Sequence, residues 1–343
     1  MMTSRQEYYE LLTKENLAPL WLSLSNLVPA QPHSKAVPTL WKYEALRPYV
    51  MQAGELITAE EAIRRVLVLE NPGLTGKSSI TSTLYAGLQL ILPGEIAPSH
   101  RHTQSALRFV MEGKGAWTAV NGERTTMSPG DFIITPSWKW HDHGNPSLEE
   151  GGEPVVWLDG LDIPLLMHLD AGFAENLGQA TQPIERPEGL SFTQFGHNMA
   201  PVRHQASDPT SPIFSYPYDR TREALDQLYR FEALDDWDGA KLQYINPVTG
   251  GSAMPTMATF MQYLPKGFKG RTYRSTDATV FTVVEGAGVV YIDDAVFSFT
   301  PRDVFVVPSW SAVRLEAQED IVLFSYSDRP VQQALNLHRE LRE

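Results

Sequence analysis

Two stretches of this chain are written twice. Val110-Met-Glu-Gly-Lys-Gly-Ala-Trp117 returns as Val283-Val-Glu-Gly-Ala-Gly-Val-Val290, and Pro129-Gly-Asp-Phe-Ile-Ile-Thr-Pro-Ser-Trp138 returns as Pro301-Arg-Asp-Val-Phe-Val-Val-Pro-Ser-Trp310. Further out, Asn71-Pro-Gly is answered by Asn246-Pro-Val. The shared Gly, Asp and Pro are turn residues, so the repeat speaks to fold. Between the turns lie short runs of alternating polarity, at residues 82–92, 106–111, 115–120, 131–135 and 154–159, and again from 258 to 327. Many short strands broken by Gly, Pro and Asn predict barrels or sandwiches, and the internal repeat predicts two of them by duplication.

The flanks read differently. Residues 1–70 are helical in pattern. Ser4 is placed to cap a first helix, a second candidate spans 39–51, and a third starts after Thr58, with Glu61 completing a capping box. Residues 176–218 show no sustained period and read as a connector, followed by a helix over 220–234, while 331–343 reads as an amphipathic helix. The expected organisation is a helical arm (1–70), a first barrel (71–175), a connector (176–240) and a second barrel with a terminal helix (241–343).

Composition narrows the function. The chain has 343 residues, about two domains' worth. Its 28 Lys and Arg against 41 Asp and Glu give a net charge of −13, which argues against a nucleic-acid or anionic-membrane surface. There is no Cys, so disulfides, iron–sulfur clusters, thiolate zinc sites and Cys nucleophiles are excluded, and any metal must be held by nitrogen or oxygen. No stretch reads as a signal peptide or membrane span. A cytoplasmic protein is the expectation.

Pro98-Ser-His100-Arg-His102 lies in a strand region. A period of two puts His100 and His102 on one face, about 6–7 Å apart along the backbone, where both can reach one ion. His141, in Trp140-His-Asp-His143, is a third candidate. By itself such a pair is more often a chance surface feature. The repeat supplies a control: Tyr273 and Ser275 stand opposite His100 and His102, and Val313 opposite His141. The fold therefore does not require imidazoles there, and their co-occurrence in one copy favours a metal site. Other histidines (His33, His168, His197, His204, His338) are scattered and read as structural or exposed. Trp138 and Trp310 recur in both copies and read as core or interface residues. The basic run Lys266, Lys269, Arg271, Arg274 reads as a solvated face.

The first copy resembles the two cupin motifs, as Gly94-x5-His100-x-His102…Gly113 and Gly130-x5-Pro136-x4-His141-x3-Asn145, with Ala106 or its neighbour where the usual motif glutamate stands. The stretches 97–109, 157–164 and 246–256 resemble the gentisate 1,2-dioxygenase family of bicupins, and the likeness spans roughly 15–335. It implies an all-β dominated fold of two jelly-roll barrels, with a helical N-terminal arm and helical connector. It also implies one non-haem Fe(II) per chain on His100, His102 and His141, with a second barrel that is metal-free. The implied reaction is the O2-dependent opening of a 2-hydroxybenzoate ring between C1 and C2, gentisate yielding maleylpyruvate. 1-Hydroxy-2-naphthoate and salicylate present the same chelate and are alternative substrates. A metal-dependent isomerase or decarboxylase that uses no O2 is a second class, and a non-enzymatic ligand-binding cupin a third.

Within that picture Arg108 is the candidate for handling substrate and oxygen, because its planar fork pairs a carboxylate bidentately. Tyr85 is placed to stack on the ring, and Gln89 and Arg64 to bind substrate; a helix-face salt bridge explains Arg64 or Arg65 equally well. His143 is a candidate proton carrier, and Asp159 the carboxylate that orients it or binds a hydroxyl. A homo-oligomer, a tetramer by the resemblance, is the expected assembly.

Overall fold

The structure, a computed structural model, describes residues 4–203 and 208–343; His204 lies outside the described residues. It divides into a unit ending at His33 and a larger one spanning Ser34–Glu343. In the first, the helix Arg5–Lys14 is capped by Ser4, whose side chain and that of Glu7 satisfy each other's backbone N–H groups. The helix Leu20–Leu27 follows, and its Leu20, Trp21, Leu22, Leu24 and Leu27 are all exposed.

The larger unit holds two barrels, each made of a six-stranded and a five-stranded sheet. In the first barrel the six-stranded sheet runs Ser215–Tyr216, Phe132–Thr135, Ala106–Glu112, Val155–Leu161, Tyr85–Ile91, Val66–Val68. In the second it runs Thr39–Trp41, Val304–Val307, Thr279–Glu285, Ile321–Ser327, Ala258–Leu264, Ala240–Gln243. The barrels meet across these two sheets. Alternation sends Ala86, Leu88 and Leu90 into one core with Val280, Val322 and Phe324. Phe109 stacks on Phe324 at 4.3 Å, and Phe132 lies 5.4 Å from Phe324. Each such fully buried side chain is worth roughly 1.5–3 kcal/mol, so the junction is a core shared by both barrels.

The duplication is longer than the sequence repeat shows. Each copy opens with a strand lent to the other barrel: Thr39–Trp41 pairs with Val304–Val307, and Ser215–Tyr216 pairs with Phe132–Thr135. A helix follows each, Tyr43–Leu56 and Tyr218–Phe231. Asp303 accepts from the Tyr43 N–H and Asp131 from the Tyr218 N–H, both at 2.9 Å. Tyr43 and Arg47 bind Glu112, as Tyr218 and Arg222 bind Glu285. The repeated Glu and Asp are therefore more than turn residues, since they tie each helix to both barrels. A second reciprocal pair joins the halves directly. Thr256 donates to Asp162 at 2.6 Å and Thr83 to Asp328 at 2.8 Å.

Three expectations change. The helix expected over 39–51 starts at Tyr43, because 39–41 is extended onto the second barrel. The helix after Thr58 is only Ala59–Ala62, since Ile63 takes a left-handed conformation (φ +57°) and reverses the chain. The tail is not one helix: Arg329–Ala334 is helical, Asn336 turns left-handed (φ +57°), and Glu340–Arg342 pairs as a strand with Tyr273–Ser275. An open sheet edge supplied by a remote segment overrode the local helical period.

Candidate metal centre and substrate pocket

The strand Ile96–His102 pairs with His141–Gly144 so that His100 stands directly opposite His141, after a bulge between Ala97 and His100. Alternation adds His102 on the same face. The ring centroids lie 4.2 Å (His100–His141), 4.8 Å (His102–His141) and 5.2 Å (His100–His102) apart. One nitrogen of each falls within 4.8 Å of the others. His102 Nδ1 meets the Gln104 carbonyl at 2.8 Å, and His141 Nδ1 the Lys139 carbonyl at 3.0 Å. Such partners hold the proton on Nδ1 and turn the Nε2 lone pair inward. His141 Nε2 is buried with no partner.

Burial holds His100 down to about 3 and His102 to about 4, helped at His100 by the Arg64 charge, and His141 lies well below its ordinary range. All three are neutral at pH 7, the form that binds a metal. Three neutral imidazoles around a buried orphan nitrogen fit a divalent first-row transition ion.

Beside the imidazoles, one row crosses the sheet: Gly87 opposes Asp159, which opposes Arg108. Arg108 is 4% exposed; its guanidinium donates to Thr135 Oγ1 and lies 3.6 Å from Asp159 Oδ1 through its otherwise unpaired Nε. The strand bearing His100 ends at His102 and a new one starts at Ala106, so no bulge turns Arg108 outward. Trp157 Nε1 donates to Asp159 at 3.0 Å. Burial pushes Asp159 up to about 6, opposed by Arg108 and the Trp157 bond.

Arg64 donates to the Pro98 carbonyl at 2.7 Å and lies against His100 Nδ1; burial, then Arg108, lowers it to about 10. Gln89, which is buried, and Tyr85 flank Gly87, one alternation to either side on the same face. A Cβ at Gly87 would lie 2.8 Å from the Tyr85 hydroxyl, so that glycine makes room for the ring. Arg65 belongs elsewhere, in a bidentate pair with Glu95.

One expected pairing differs. His143 is fully buried, with Nε2 unpartnered, and Thr118 Oγ1 rather than Asp159 meets its Nδ1, at 2.9 Å. Asp159 is committed to Arg108 and Trp157. Sequence reading missed Thr118, Thr135 and Trp157; alternation along 115–120 would have put Thr118 on an inward face, but not opposite His143, a register only pairing defines.

The second barrel repeats the frame without the ligands. Tyr273 opposes Val313 as His100 opposes His141, and Trp310 N–H donates to the Ser275 carbonyl as Trp138 N–H does to that of His102, both at 2.7 Å. Both tryptophans are left-handed (φ +64° and +60°), and Trp138 covers Arg101 and Phe173. Where the first barrel has imidazoles, the second has an ion-pair network: Asp277 binds Arg329 at 3.1 Å and lies 3.4 Å from His338, which is half-buried rather than free on the surface.

Twin jelly-roll barrels with a three-imidazole centre in the first define a bicupin metalloprotein, and a cupin domain model matches residues 87–161. The chain is 55% identical to gentisate 1,2 dioxygenase 1 of Aquipseudomonas alcaligenes over 98% of its length and 96% of that protein's. It is 36% identical to the 1-hydroxy-2-naphthoate 1,2-dioxygenase of Nocardioides sp. (strain KP7), over 92% and 82% of the two chains. A salicylate 1,2-dioxygenase from Pseudoaminobacter salicylatoxidans, solved as gentisate adducts, superposes with a TM-score of 0.93 at 36% identity, covering 100% of this chain and 95% of that one. The chain belongs to the gentisate 1,2-dioxygenase family. No helix among the described residues is long and apolar enough to cross a membrane.

Proposed function

We propose that this chain opens the ring of gentisate with O2, between C1 and C2, to give maleylpyruvate, using one Fe(II) on His100, His102 and His141. The observation that carries the reading is the charge of the site. Three neutral imidazoles leave a divalent ion its full +2, and Arg108 and Arg64 stand beside it, facing Asp159 and, at Arg64, also Asp142, both carboxyls pushed up by burial. That surplus suits a substrate offering a carboxylate and a phenolate together, about −2. Bound there, Fe(II) supplies the redox capacity that lets an electron-rich aromatic ring react with dioxygen.

The protein's residues do the rest. Arg108, held by Asp159 and Thr135, presents its fork to the substrate carboxylate and to charge that develops on oxygen. Arg64 adds a second cation on the His100 side. Thr118 Oγ1 meets the Nδ1 of His143 at 2.9 Å, and in the tautomer with the proton on Nδ1 the hydroxyl oxygen receives it. The Nε2 of His143 is then a bare acceptor facing the site, suited to taking a hydroxyl proton from the substrate. Gln89 bonds a ring hydroxyl, and Tyr85 lies along the ring face. The second barrel carries no metal, and the enzyme is a cytoplasmic homotetramer, as the family resemblance implies.

Anaerobic loading with Fe(II), followed by gentisate and oxygen, tests the reading. Oxygen consumed one-for-one with ring-opened product supports it; turnover without oxygen uptake moves the chain to a non-oxidative isomerase or decarboxylase, and equal rates after chelation refute the metal's role. His100→Ala abolishes turnover, whereas Tyr273→Ala leaves it. Parallel kcat/KM values for gentisate, salicylate and 1-hydroxy-2-naphthoate rank the substrates.

A further inference from the structure

The two barrels clasp each other almost symmetrically, and one residue breaks the symmetry. Asp162 follows the strand Val155–Leu161 and binds Thr256; Asp328 follows the matching strand Ile321–Ser327 and binds Thr83. Two residues before each Asp, the halves differ. Gly160 pairs with Ala86 in the first barrel, and its counterpart Tyr326 pairs with Thr259 in the second. Tyr326 is fully buried, and its phenol crosses into the first barrel, where it donates to the Tyr85 carbonyl at 2.8 Å. Its ring occupies the space left by Gly160: a Cβ there would lie 2.8 Å from Tyr326 Cζ. With glycine at 160, the first barrel sends no phenol in return.

Alternate residues of one second-barrel segment, Tyr326 and Asp328, thus hold alternate residues of another, Tyr85 and Thr83, at the entry to the strand carrying Tyr85, Gly87 and Gln89. The Asp–Thr bond occurs in both halves, so it belongs to docking. The phenol occurs once, aimed at the barrel that bears the imidazoles.

We propose that Tyr326 is a specificity-determining positioning residue, through which the barrel without metal ligands sets the height of the Tyr85 ring over the bound aromatic acid. This deepens the reading of the site given above and rests on it. Tyr326 touches no substrate; it anchors the backbone from which Tyr85 projects. That gives the second barrel a part in choosing substrates that its missing histidines conceal.

Tyr326→Phe removes one oxygen and keeps the ring packed on Gly160. With the Fe(II)-loaded enzyme, KM for gentisate rises about 3- to 10-fold as the Tyr85 ring loses its fixed height, while kcat and iron content hold within about 2-fold. The preference for gentisate over 1-hydroxy-2-naphthoate falls by a similar factor, and anaerobic gentisate binding weakens in parallel. Thr256→Val, which cuts the docking bond far from Tyr85, lowers the melting temperature without moving that preference. Should Tyr326→Phe fail to fold, Thr83→Val loosens the same strand entry and shifts preference in the same direction. Unchanged KM and preference in a folded Tyr326→Phe overturn the proposal, as does a shift of equal size in Thr256→Val. A wild type that turns over none of the three acids overturns the parent reading, and this one with it.

Discussion

At the scale of single residues, burial decides the chemistry. His100, His102 and His141 stay neutral because the pocket excludes water; the same burial lowers Arg108, and Asp159 beside it opposes that loss of charge. Planarity matters as much as charge at Arg108. Arg108→Lys keeps the charge and loses the fork, so kcat/KM for gentisate falls by about 10- to 100-fold, the equivalent of roughly 1.5–3 kcal/mol. Steady-state kinetics beside an iron assay check this, since iron content stays at the wild-type level.

At the scale of elements, turns place the strands that carry the ligands. Gly113 sits at φ +77° with the Pro154 carbonyl oxygen 2.2 Å from where a Cβ would be, and Gly286 repeats this at φ +76° with Asp320 oxygen at 2.0 Å. Gly115 is also left-handed (φ +88°) but faces open space. Gly113→Ala therefore costs more than Gly115→Ala, which carries the backbone penalty of about 1 kcal/mol alone. Thermal unfolding of the two variants measures the gap, and equal losses contradict the steric argument. These glycines were legible as repeated letters. The helix after Thr58 was legible from its cap, but its early end at the left-handed Ile63 and the strand at the tail were not: a β-branched residue is a poor left-handed former, and Glu340–Arg342 becomes a strand only beside Tyr273–Ser275.

At the scale of the whole molecule, neither barrel is closed on its own residues. Strands, helix caps and the Asp162 and Asp328 bonds all run between halves, so the two barrels form one cooperative body. Burial pushes both carboxyls up to about 6. Each holds a proton more tightly folded than unfolded, so its contribution to stability is full below the unfolded value near 4 and is lost as pH rises through 6. Asp328→Asn removes the buried charge and keeps one of the two oxygens that accept from Thr83 and the Ala278 N–H. It raises the melting temperature relative to wild type at pH 7.5, by up to about 3 kcal/mol of stability, and the gain disappears near pH 4.5. A gain that does not vary with pH sinks this account.

The sequence by itself determined the duplicated barrel frame, the imidazole trio and the asymmetry between copies, because strand periodicity and turn chemistry are local and the second copy served as a control for the first. Through the family resemblance it also pointed to Arg64, Arg108, His143, Asp159, Tyr85 and Gln89 as pocket candidates, with Asp159 either orienting His143 or binding a hydroxyl. Only the tertiary structure decided that Thr118 holds His143, that Asp159 serves Arg108, that each copy lends its first strand to the other, and that Tyr326 reaches Tyr85. The farthest of those pairings, Thr39 with Val306, joins opposite ends of the chain. No local propensity encodes which strand lies beside which; burial of the shared apolar faces sets it, and the polar contacts follow.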